Sequence, residues 1–458
     1  MLFLITLLIL PATLLAMAFS DDMPQQAMAL FNASWADNYT DMQQLLASGA
    51  NYTFAKYDGV TALHVAAAAG SRAAAQLLID AGANISAVNV DFETPLHVAA
   101  HFGHDEVSQK LVAAGADILA RNCYGETPLQ VAASRGYQDV VRLLIHEAKN
   151  RMILSEILST KNNNGDTALH SAISGGYAMA KMLLDAGADV HSRGEGQDTV
   201  LFRAAEDSED MVELILAAGG DVLARTDDGT TVLHRAAAWG SANILQQLIA
   251  VGADVSLATN DGQTPLHCAA ERGTEEKIRI LLDAGVDISA QTINARETAL
   301  HLASAAFSDM RAKVLLDRGA DPNTPKLGGE TPLHLAVAAA KRGGDVSVVA
   351  YLLEAGANSN AATDAGETPL HVAVMNGSPT SIRLLLNAGA DPSATTHDGK
   401  TPLLLAQEKR TEAKAYCIEV SKEPWAEPGM CDEYLSRMEE VAMLVEETQD
   451  TGLQELKL

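Results

Sequence analysis

The stretch Glu93-Thr94-Pro95-Leu96-His97-Val98-Ala99-Ala100 decides the fold. Thr94 stands where a helix N-cap belongs, its hydroxyl able to accept a bond from an otherwise unpaired N–H. Pro95 follows at the first helical position, where its missing N–H costs nothing. Leu96, Ala99 and Ala100 form a short apolar stripe, and the alanines let neighbouring helices approach closely. Gly103 closes this helix, as glycine does just past a helix terminus. A second helix, predicted over Glu106 to Ala113, carries Val107, Leu111 and Val112. Gly115 ends it, and Asp117 to Gly125 supply the turn residues of a projecting hairpin finger.

The pattern then restarts. Its threonine recurs as Thr61, Thr94, Thr127, Thr167, Thr199, Thr231, Thr264, Thr298, Thr331, Thr368 and Thr401, at intervals of 33, 33, 40, 32, 32, 33, 34, 33, 37 and 33 residues. A Gly-Ala-Asp/Asn marker follows most copies about 21 residues later, as at Gly82-Ala83-Asn84 and Gly115-Ala116-Asp117. Such a period belongs to a solenoid, in which each unit buries its apolar face only against its neighbours.

These residues resemble the ankyrin-repeat family, over residues 27 to 421. The resemblance implies an all-α solenoid of helix-turn-helix units with short hairpin fingers. Eleven copies are recognisable, and residues 27 to 52 read as a degenerate twelfth whose Thr-Pro is replaced by Met28-Ala29, as suits a terminal cap. The 40-residue interval holds Met152 to Leu158, expected to extend a second helix. The 37-residue interval holds Lys341 to Asp345, expected as a loop between helices. The finger glycine is replaced three times, by Phe92, Gln197 and Arg296.

A globular reading of 458 residues predicts about three domains, but the period overrides it: residues 21–421 form one array and residues 422–458 a tail. In that tail Leu435, Met438, Val441, Ala442 and Val445 share one helical face, which suits a helix capping the stack or one docking on another protein. Residues 1–20 carry no charge and end in small residues before Asp21-Asp22. They read as a secretory signal peptide lacking the usual basic start, or as a retained membrane anchor. The expected location is therefore secreted, periplasmic or in the secretory-pathway lumen, or anchored by that segment. In such a compartment Cys417 and Cys431 are expected to pair across a turn-rich loop. Asn32, Asn38, Asn51 and Asn84 head N-x-Ser/Thr triplets that a eukaryotic host would glycosylate.

A net charge of −27 argues against nucleic acid and against an anionic membrane surface. It serves solubility, or attracts a basic partner. Eight histidines hold the fourth place of the repeat signature, a position that the resemblance makes structural. His97, His101 and His104 have a metal-like spacing but are repeat residues, so neither metal nor cofactor is expected. Phosphate loops and nucleophile motifs are absent, and the carboxylates are scattered over repeat surfaces. The chain therefore reads as a non-catalytic scaffold that binds protein on the concave face lined by fingers and first helices. A secreted effector acting on another organism's proteins and a membrane-tethered organiser are the alternatives. Aromatic and arginine side chains on that face are the candidate anchors: Tyr57, Phe92, Phe102, Tyr124, Arg135 and Tyr137 early in the chain, and Trp239, Arg272 and Phe307 later.

Overall fold

The computed structural model describes residues 24–56, 58–306, 309–340, 345–420 and 432–451. Among them the regular structure is helical, with one 3-10 turn at Glu195–Gln197 and isolated β-bridges between Ala55 and Thr61, Arg193 and Thr199, and Arg225 and Thr231. No described helix is long and apolar enough to cross a membrane. The chain divides into two compact units, Met1–Ala224 and Arg225–Leu458. The signal-like segment 1–20 lies outside the described residues.

The first unit is a run of helix pairs: α1 (Gln25–Trp35) with α2 (Tyr39–Ala47), α3 (Ala62–Ala69) with α4 (Arg72–Asp80), and α5 (Pro95–Phe102) with α6 (Asp105–Ala113). It continues with α7 (Pro128–Arg135) and α8 (Gln138–Asn150), the short α9 (Leu154–Ser159), α10 (Ala168–Gly175) with α11 (Tyr177–Asp185), and α12 (Val200–Asp207) with α13 (Glu209–Ala217). Each first helix packs on the next, α1 on α3 through to α10 on α12, and most second helices form a parallel row behind them. The motif leucines Leu63, Leu96, Leu129, Leu169 and Leu201 are buried, as are the alanine pairs Ala66-Ala67, Ala99-Ala100 and Ala132-Ala133. Side chains as small as these let the helix rows close up without voids.

The threonine and histidine of the signature act together. Thr94 Oγ1 accepts the His97 N–H at 3.4 Å, and the Thr94 N–H donates to His97 Nδ1 at 3.2 Å, a reciprocal cap. With Nδ1 an acceptor, the ring hydrogen sits on Nε2, which donates to the Glu126 carbonyl of the next repeat at 3.0 Å. Burial lowers the His97 pKa to about 4, so the ring stays neutral.

Three finger positions that lack the expected glycine adopt its left-handed backbone nonetheless: Phe92 at φ 57°, Gln197 at 66° and Arg296 at 55°. The long interval differs from expectation. Helix α8 gains a turn to Asn150, but Met152 at φ 59° then breaks it, and α9 is a separate helix. Arg151 fastens the break by donating from Nη1 to Ala116 O and from Nη2 to Val112 O.

The second unit repeats the scheme with α14 (Val232–Ala238), α15 (Ala242–Ala250), α16 (Pro265–Arg272), α17 (Glu275–Asp283), α18 (Ala299–Ala305) and α19 (Asp309–Asp317). It continues with α20 (Pro332–Ala339), α21 (Ser347–Glu354), α22 (Pro369–Asn376) and α23 (Pro379–Asn387). The buried Lys277 turns its ammonium to the Ala236 and Gly240 carbonyls near the end of α14, satisfying groups a helix terminus leaves open. The expected loop at Lys341 to Asp345 falls mostly outside the described residues. The last copy is a single long helix, α24 (Pro402–Val420), against which α25 (Asp432–Thr451) packs, burying Met438, Val441, Ala442 and Val445.

Candidate functional site

Within the first unit, three successive fingers and helices α5 and α7 enclose a groove of about 460 Å³. Its finger wall is assembled by one device used three times. Asn89 Oδ1 accepts the N–H groups of Asp91 and Glu93, and its Nδ2 donates to Glu93 Oε2 at 2.9 Å. Asn122 does the same for Tyr124 and Glu126, its Nδ2 reaching Glu126 Oε2 at 3.2 Å. Asn162 holds Asn164 and Asp166 by their N–H groups. An asparagine that bonds its own following backbone shapes a tight turn, and here it also aims the glutamates. Adjacent fingers are joined by backbone bonds, Val90 N–H to Asp58 O at 2.8 Å, Cys123 N–H to Asp91 O at 2.7 Å and Asn163 N–H to Tyr124 O at 3.0 Å.

The groove therefore has two unlike walls. Asp91, Glu93, Glu126 and Tyr124 line the finger side. Among the described residues no ion pair involves any of the three carboxylates. Burial, then Asp91 and Glu126 as like charges, raises the Glu93 pKa above its ordinary value. Val98, His101, Phe102, Val131 and Arg135 line the helix side. Burial first, then the Arg135 charge, lowers the His101 pKa.

Three anchors read from the sequence meet here: Phe102, Tyr124 and Arg135. Phe92 stands 59% exposed on the neighbouring finger tip, beside exposed Val88 and Val90. Tyr137 does not join the groove: its ring covers Gly103, where a Cβ would fall 2.4 Å from a ring carbon. His104 covers Gly70 in the same register and bonds Ala68 O through Nε2 at 3.0 Å. In the second unit the Arg272 guanidinium lies 5.0 Å from the centre of the Trp239 ring, an exposed cation–π pair that also contacts Glu271. Tyr57 and Phe307 lie outside the described residues. Asn32, Asn38, Asn51 and Asn84 are all exposed. Asn51 and Asn84 accept the N–H groups of Thr53 and Ser86, the third residues of their triplets.

One further cluster has metal-like composition. Asp166, His170 and Asp198 bring ligand-type atoms within 4.8 Å of one another. Arg203 already supplies the countercharge, with Nη2 2.6 Å from Asp166 Oδ1, Nη1 3.0 Å from Asp166 Oδ2 and Nε 3.2 Å from Asp198 Oδ2. His170 Nδ1 accepts the Thr167 N–H, so Nε2 carries the hydrogen and has no lone pair for a metal. Thiol chemistry is equally disfavoured. Desolvation, then Asp91 and Glu93, raises the Cys123 pKa, and burial pushes Cys268 up to about 12, so neither is a ready thiolate. Cys417 takes part in a disulfide; Cys431 lies outside the described residues.

The model of ankyrin repeats in three copies matches residues 30–122, 119–194, 201–292, 291–361 and 337–419. The chain belongs to the ankyrin-repeat family. Ankyrin repeats generally mediate contacts between proteins, and proteins that carry them are typically non-catalytic scaffolds. No curated protein matches the chain.

Proposed function

We propose that this ankyrin-repeat chain is a non-catalytic scaffold of an exported compartment, and that it holds protein partners against the groove between α5, α7 and their fingers. One observation carries the reading: aromatic side chains converge on this groove and its rim, with two of them largely open to water. Tyr124 is 48% exposed and Phe92 59%. Phe92 also holds a left-handed backbone that glycine fills without strain, so an exposed aromatic persists there at a cost to folding. Strain of this kind collects at sites of function, and aromatics and arginines dominate interface energetics. The uncharged leader at residues 1–20 supports export.

The test is affinity capture from the native compartment with the wild-type chain and with a Phe92→Ala/Tyr124→Ala variant shown to be folded by circular dichroism. The partner retained by the wild type should bind the variant at least ~2 kcal/mol more weakly, the scale of a hot-spot loss. Equal affinity would remove the groove from the account.

A further inference from the structure

We propose that the groove is a receptor for an arginine side chain presented by an extended segment of the partner protein. The inference rests on the reading of the groove as a docking surface and adds the chemistry of what enters it.

Its basis is an imbalance of charge. The finger wall presents the carboxylates of Asp91, Glu93 and Glu126, while among the described residues that line the space Arg135, on the opposite wall, is the one lysine or arginine. Glu93 and Glu126 are held in place by Asn89 and Asn122, which donate to one oxygen of each; among the described residues no other side chain donates to either carboxylate. Such fixed, partly desolvated anions repel one another, and a cation placed between them relieves the repulsion. Asparagine neighbours bring hydrogen bonds but no countercharge.

The identity of the cation follows from the other groups. Tyr124 offers aromatic surface beside the carboxylates, and Phe102 does so from the facing wall. A guanidinium is planar, stacks on such faces, is weakly hydrated and meets a carboxylate through two parallel bonds, whereas an ammonium does none of these as well. Arg135 makes the helix wall the electropositive side, so an entering cation is directed to the fingers. The groove's 460 Å³ is ample for one long side chain and the backbone that carries it.

The experiment uses the full chain and four fluorescent pools of degenerate hexapeptides, each with arginine, lysine, leucine or glutamate at one fixed position, read by anisotropy. The arginine pool should bind at least tenfold more tightly than the leucine and glutamate pools. A Glu93→Gln/Glu126→Gln variant keeps the acceptor oxygens for Asn89 and Asn122; it should abolish that preference while binding the leucine pool as the wild type does. A lysine pool equal to the arginine pool, or a preference that survives the double carboxamide, overturns the proposal. If the leucine pool binds best and the Phe92→Ala/Tyr124→Ala variant loses it, the docking surface stands and its arginine specificity falls. If no pool binds the wild type, both fall.

Discussion

A Cβ placed on Gly175 would fall 2.0 Å from the Ala133 carbonyl oxygen, so the end of α10 lies directly against α7. In an ordinary helix interior, replacing glycine by alanine stabilises by ~1 kcal/mol. Here the clash is with backbone and cannot be relieved by a rotamer. Gly175→Ala should instead destabilise by ~1–3 kcal/mol, the usual cost of overpacking. Urea denaturation decides the sign, and a stabilised variant would contradict the close approach.

The repeat histidines should make stability depend on pH. Burial places the pKa of His97, His234 and His301 at about 4, against an ordinary 6.5. Between those values the unfolded chain binds more protons than the folded one, so stability is complete above pH 6.5 and is lost as the pH falls toward 4. The repeat that begins at Thr127 already carries the non-titrating alternative: Gln130 Oε1 accepts the Thr127 N–H at 2.9 Å, and Nε2 donates to the Asp166 carbonyl at 2.7 Å. A His97→Gln/His234→Gln/His301→Gln variant should lose less stability than the wild type between pH 7 and 4.5, by ~2 kcal/mol per replaced ring. Parallel curves would show that these rings are not the titrating groups.

Arg203 neutralises two carboxylates that face the protein interior, with Asp166 the more deeply buried. Removing one partner of such a network leaves an uncompensated charge. Arg203→Met should cost ~3 kcal/mol at pH 7, and Asp166→Asn combined with Asp198→Asn should recover much of that loss. Failure of the triple variant to recover would mean that Arg203 stabilises by packing rather than by charge.

Phe92→Gly should move folding and binding in opposite directions. Relief of the left-handed backbone stabilises the fold by ~0.5–1 kcal/mol, while loss of the ring weakens the partner. A less stable variant, or one that binds unchanged, would contradict the assignment of Phe92 as an anchor.

Much of this architecture can be read along one dimension. The Thr-Pro-Leu-His spacing places the caps, the buried leucines and the alternating helices, because each signature residue satisfies a local need. It even locates the three finger positions where Phe92, Gln197 and Arg296 must turn left-handed. The break at Met152 escapes because an inserted turn and an inserted helix share one apolar pattern. The acidic wall escapes for a different reason. Glu93 and Glu126 look like scattered surface charge along the chain, yet they lie 33 residues apart, one repeat period, which in a stack means side by side. Asp166 and Arg203 meet by the same rule, 37 residues apart. Reading down the columns of the repeat, rather than along the chain, is the signal that finds such groups.

Hydrogen–deuterium exchange of the chain with and without its captured partner tests the central claim most directly. The account predicts slowed exchange in the fingers around residues 89–93, 122–126 and 162–166 and at the ends of α5 and α7, with the second helices unchanged. Protection confined to other surfaces, or none in these fingers at saturating partner, would contradict it.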